Sequence, residues 1–151
     1  MQKNWLTLVG FIVLVLCGGT AIGFATLPGA WYQSLVKPAF NPPNWIFGPV
    51  WTILYVMIAV AGWRLWEHHR SSAAMKIWWL ALVLNFLWSP TFFGMQQLGL
   101  AFVIIVAMLL SIFAFIFQSA KLDRTSALLF IPYAAWVSFA TLLNASLWHL
   151  N

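Results

Sequence analysis

Tryptophan and amide side chains are the residues here whose types and spacing could do chemistry. Asn85, Trp88, Ser89 and Phe92 follow an i, i+3, i+4, i+7 pattern, one face of a helix. Trp51 and Tyr55 are i, i+4, and Pro132, Trp136, Ala140 and Asn144 recur every fourth residue. All of them sit in long apolar runs, where an amide or an indole N–H is costly without a partner. Three such stripes can aim donors and flat rings into one space, which suits a large, flat, mostly apolar ligand. The same stripes can equally serve only to pack helices together, and the pattern leaves both readings open.

The stripes need helices to carry them. Of the 151 residues, 64% are hydrophobic and 6% charged, too few charges to cover a water-soluble surface. A bilayer core takes about 20 apolar residues of helix. Five stretches qualify, about residues 5–27, 46–66, 77–96, 98–120 and 125–148, and none shows the period-2 alternation of strands. The expected fold is an all-α integral membrane bundle of five transmembrane helices, forming one domain over residues 1–151. Pro90 and Pro132 fall inside the third and fifth stretches and need neighbours to satisfy the carbonyls they free. The first stretch, after Lys3, imitates a signal peptide, and Leu14–Cys17 imitates a lipoprotein cleavage site. Leu16 is bulky where such a site wants a small residue, so the stretch is read as a retained helix.

The net charge of +5 comes from scattered basic residues beside apolar runs, which argues for membrane orientation and against nucleic acid. Lys3, Arg64, Arg70, Lys76, Lys121 and Arg124 fall on one side and Lys37 on the other. The positive-inside rule then puts the N-terminus inside and the C-terminus outside. No Asp, Glu, Lys or Arg lies deep in a span, which disfavours an ion-coupled pump. No serine–histidine or paired-aspartate arrangement supports a membrane hydrolase. Glu67, His68 and His69 read as a solvated loop rather than a metal site, and His149 carries no chemical reading. Cys17 is the only cysteine, so no metal site or disulfide is expected.

The outer loop, Pro28 to Trp45, holds four prolines and four aromatics. Proline stiffens it, and its rings need an apolar resting place. It is either an interfacial anchor or a structured lid over the bundle. Gly19 and Gly23 make a Gly-xxx-Gly pair on the first helix, a close-approach surface within the bundle or between two copies.

The segment Trp31-Tyr32-x-x-Leu35-x-Lys37-Pro38-x-x-x-Pro42-Pro43-x-Trp45-x-Phe47, followed by Trp51-Thr52-x-Leu54-Tyr55, resembles the signature of the translocator protein family. Its members are also called tryptophan-rich sensory proteins (TspO) and peripheral-type benzodiazepine receptors. Asn85-Phe86-x-Trp88-x-Pro90-x-Phe92-Phe93-Gly94, Pro132-Tyr133-x-x-Trp136 and Phe139-Ala140-Thr141-x-Leu143-Asn144 are similar to its third and fifth helices. The resemblance implies a homodimeric five-helix bundle that binds tetrapyrroles, such as protoporphyrin IX or haem, and drug-like ligands, in sensing, scavenging or transport, with no required cofactor. Light-dependent porphyrin breakdown and sterol or lipid carriage are the alternatives it brings. It places Tyr32, Pro42, Pro43 and Trp45 in a lid, with Trp51, Tyr55, Asn85, Trp88, Phe92, Trp136, Ala140 and Asn144 lining a pocket. Trp31 and Trp136 resemble the tryptophans tied to porphyrin chemistry. Ala145 and His149 depart from the Tyr and Arg of the animal sterol motif. This departure and the minimal length favour a bacterial member in the cytoplasmic or outer membrane.

Overall fold

The computed structural model describes residues 4–151. Lys3, used above for orientation, lies outside the described residues. Among them every regular element is helical, and five helices are long and apolar enough to cross a membrane. They run Trp5–Ala25, Asn44–His69, Ala73–Gly94, Leu98–Ser119 and Arg124–Leu150, and are called the first to fifth spans. Boundaries differ from the expected ones by a few residues, chiefly because the second span runs on to His69.

Chain direction alternates, so Arg64, Arg70, Lys76, Lys121 and Arg124 gather at one end, here the basic end. The 28–45 segment, the Met95–Gln97 turn and the C-terminus share the other, the lid end. The fourth span packs between the third and fifth. The first packs on the second over Trp5–Cys17, meets Trp78 and Trp79 of the third through Phe11, and approaches the third again over Gly18–Ala25 toward the lid end.

Glycines set two close approaches. A Cβ at Gly62 would run into the Trp78 ring, whose Nε1 donates to the Ile58 carbonyl at 3.0 Å. That contact draws the second and third spans together. A Cβ at Gly19 would run into the Tyr55 ring, whereas one at Gly23 meets nothing within 4 Å. The Gly-xxx-Gly pair is therefore not one surface: Gly19 faces inside the bundle and Gly23 is exposed.

Pro90 does not end the third span. It opens a π turn, Pro90–Gly94, closed by Met95 N–H donating to the Pro90 carbonyl at 2.8 Å. The wider turn accommodates the missing N–H. Gln96 then takes a left-handed φ of 58° and reverses the chain. Pro132 is a correction. The fifth span breaks at Phe130, and Pro132 lies in the first turn of Ile131–Leu150, where a missing N–H costs nothing.

The basic end is fastened by polar contacts. Arg64 grips Asp123 with two bonds, Nε to Oδ2 at 2.7 Å and Nη2 to Oδ1 at 3.0 Å. Ser126 donates within reach of both Asp123 Oδ2, at 2.6 Å, and the Ala61 carbonyl, at 3.2 Å. The guanidinium hydrogen bond, aided by Ser126, holds the Asp123 carboxyl down at about 2 despite partial burial.

Candidate functional site: an aromatic cluster under a helical lid

The loop between the first two spans folds as a short helix, Ala30–Ser34. It has only one and a half turns, too short to hold itself in water. Lys37 stabilises it by turning back to donate to the carbonyls of Tyr32, Gln33 and Leu35, at 2.9, 3.3 and 3.3 Å. Carbonyls at a helix C-terminus lack α-helical partners, and here that of Tyr32 also accepts from the Leu35 N–H at 3.2 Å. Its ammonium also lies 4.7 Å from the Tyr32 ring centroid.

The loop divides the two readings that sequence left open. Tyr32 is buried, 4% exposed, with its ring centroid 5.4 Å from that of Phe93 and 6.3 Å from that of Phe92. Burial pushes its phenol up from the ordinary value. Trp31 meets Phe92 edge-on at 6.1 Å, and Phe40 meets Phe139 at 6.2 Å. These residues make a lid. Trp45 is 74% exposed and Pro43 is exposed, so both stand outside the cluster, Trp45 in the manner of an interfacial anchor. Pro42 is half-buried at the lid margin.

Beneath the lid the side chains of four spans converge. Trp88 Nε1 donates to Asn144 Oδ1 at 3.0 Å, and Asn144 Nδ2 donates to the Leu98 carbonyl at 3.0 Å. Asn85 Nδ2 donates to the Tyr133 hydroxyl at 2.7 Å and its Oδ1 accepts from Tyr55 at 3.3 Å. Tyr133 reaches Met108 Sδ at 3.5 Å. Both buried amides thus have partners, as their cost in an apolar interior demands. Trp51 stacks at 5.5 Å on Tyr55 and 6.4 Å from Tyr133.

Two polar atoms in this region are left over, Asn41 Oδ1 in the lid and Trp136 Nε1 beneath it. Trp136 Nε1 is buried and has no hydrogen-bond partner. Its ring lies 5.7 Å from Phe47 and 5.6 Å from Phe139. Close backbone approach between the second and fifth spans is concentrated at the basic end, and the two separate toward the lid, where Phe47, Trp51 and Trp136 stand between them. Ala140 is buried on the same face one turn above Trp136, toward the lid. Phe92, 5.0 Å from Trp88, joins the lid cluster to the bundle core.

The structure therefore brings together Trp31, Tyr32, Trp51, Tyr55, Asn85, Trp88, Phe92, Trp136, Ala140 and Asn144. Sequence reasoning missed Tyr133 as a site residue, although it lies three before Trp136 and shares its face. It also missed Phe47, Phe93 and Phe139, which are indistinguishable in sequence from lipid-facing aromatics.

Comparison with known proteins agrees with this architecture. The profile of the TspO/MBR family matches residues 11–149. The chain is similar to Protein CrtK of Rhodobacter capsulatus, 37% identical over 145 residues, covering 93% of this chain and 90% of that one. It is similar to the tryptophan-rich sensory protein of Cereibacter sphaeroides, 36% identical over 152 residues (100% and 95%). It is also similar to the translocator protein of Homo sapiens, 30% identical over 159 residues (100% and 94%). A five-span integral membrane bundle matched by that profile over nearly its whole length belongs to the TspO/MBR family.

Proposed function

We propose that the space among these rings beneath the lid is a chamber that binds a tetrapyrrole, with protoporphyrin IX as the first candidate, in a sensing, scavenging or transport role. The observation that carries this reading is the buried, unpartnered Nε1 of Trp136 among the rings of Phe47 and Phe139. Trp88 Nε1 and the amide nitrogens of Asn85 and Asn144 each donate to a partner within the protein. Trp136 is thus left to meet an acceptor on a ligand, such as a carboxylate. Flat rings above and below suit a large π face, and the lid removes it from water.

The donor set favours a metal-free macrocycle over haem. No histidine or cysteine belongs to the chamber, and the two tyrosine hydroxyls that face it are engaged with Asn85. Two relatives carry "sensory protein" and "translocator protein" in their names, which fits a role in which ligand is held or passed on rather than consumed.

The basic end, with five cations against Lys37 at the lid end, is read as the inner face. A homodimer belongs to the same proposal, with Gly23 rather than Gly19 open to a second copy.

The test is titration of protoporphyrin IX into the protein in lipid nanodiscs. Tryptophan fluorescence should quench saturably, and Trp51→Ala and Trp136→Ala should each weaken binding about tenfold or more, the loss of one stacked or donating group. Wild-type affinity in both variants places the ligand elsewhere.

A further inference from the structure

The lid rests on the bundle almost entirely through apolar contact, which is strong but slides. Among the described residues, only one side chain ties residues 27–43 to a span by hydrogen bonds. Asn151, beyond the end of the fifth span, accepts from the Val36 N–H at 2.9 Å and donates back to the Val36 carbonyl at 3.0 Å. Its remaining N–H goes to the Leu147 carbonyl at 2.8 Å. One carboxamide thus reads both backbone groups of one lid residue while staying fixed to its own helix.

The place of Val36 makes the tie consequential. It lies between the lid helix and Pro38, in chain that has turned extended at Leu35 (φ −67°, ψ 142°). Its own side chain is exposed and anchors nothing. Upstream, Trp31 and Tyr32 sit on the third span; downstream, Phe40 sits on Phe139 of the fifth. The clasp fixes the strand between those two footholds.

We infer that Asn151 is a positioning residue that latches the lid and so sets how fast a ligand enters and leaves the chamber. This rests on the ligand-binding reading above, but the latch itself has a readout free of ligand. The amide hydrogen-bonds only to the backbone of Val36 and Leu147, so it acts on exchange rather than on contact with the bound molecule. A latch that closes alike over empty and filled chambers governs both rates and leaves their ratio alone.

The experiment uses the full chain in nanodiscs with Asn151→Ala and Asn151→Asp. Alanine removes the clasp; aspartate keeps the acceptor and sets a negative charge against the Val36 and Leu147 carbonyls. In both, amide hydrogen exchange across residues 30–41 should accelerate about fivefold to tenfold, the weight of two exposed hydrogen bonds, while the spans keep their protection. Association and dissociation rates of protoporphyrin IX, followed by tryptophan quenching, should rise together by a similar factor with Kd within about twofold. Unchanged lid exchange overturns the latch. So does faster dissociation with unchanged association, which makes Asn151 a ligand contact. If wild-type protein takes up no porphyrin, the binding proposal fails alone and lid exchange still decides the latch.

Discussion

The Asn85 amide lies 2.7 Å from the Tyr133 hydroxyl, fully inside the bundle, and joins the third span to the fifth. Asn85 also accepts from Tyr55, so one side chain links three spans in a medium with no water to compete. Tyr133→Phe leaves the Asn85 donor buried and unpaired. The expected cost is about 1–3 kcal/mol, or a fall of several degrees in the detergent melting midpoint. Asn85→Leu, which strands the Tyr55 hydroxyl and leaves that of Tyr133 only Met108 Sδ, should cost at least as much. A melting midpoint unmoved by Tyr133→Phe removes the network from the account of stability.

Trp136 is the converse case, since its N–H has nothing to lose. Trp136→Leu keeps an apolar side chain and removes a donor that is already unpartnered, so its cost should be a packing cost of about 1–3 kcal/mol. Porphyrin affinity should fall about tenfold or more. The control is Trp63, which also has a buried, unpartnered Nε1 but lies far down the second span, stacked 6.3 Å from Trp5. Trp63→Leu should leave porphyrin affinity within twofold, as read by fluorescence titration.

The basic end predicts a pH dependence with a definite sign. Asp123 is held at about 2 against an ordinary 3.8, first by its hydrogen bond from Arg64. A depressed carboxyl stabilises the fold fully above its unfolded value and loses that contribution as pH falls from about 3.8 toward 2. Asp123→Asn should therefore melt lower than wild type near pH 6, by the weight of a charged hydrogen bond, about 1–2 kcal/mol. The two proteins should converge near pH 2. A gap that persists at pH 2 would assign the effect to packing.

The two glycines of the first span should behave differently. Gly19→Leu has to displace the Tyr55 ring, so it should destabilise the bundle strongly, by about 3 kcal/mol or more, and disturb the Tyr55–Asn85 bond. Gly23→Leu meets open space and should leave the melting midpoint within a degree or two. Native mass spectrometry of Gly23→Leu then tests the dimer, with loss of dimer expected if a second copy sits there.

The sequence by itself determined the class, the number and approximate limits of the spans, and the faces that carry the stripes. Charge scarcity and apolar run length are enough, because a bilayer forces every uninterrupted apolar run of that length into helix. Periodicity placed Asn85, Trp88, Ser89 and Phe92 on one face and Pro132, Trp136, Ala140 and Asn144 on another, but Ser89 meets Thr26 of the first span and Pro132 is exposed, so only the remaining residues of each stripe reach the site. What only the tertiary structure decided depends on partners distant in sequence. Nothing local distinguishes Gly19, pressed on Tyr55, from Gly23, or Tyr32, buried on Phe93, from Trp45, which is exposed. The pairing of Arg64 with Asp123 spans 59 positions, and the clasp of Asn151 on Val36 spans 115. Hydrogen bonds are short-ranged and directional, so which donors find partners and which, like those of Trp63 and Trp136, are left over is settled only when the spans meet.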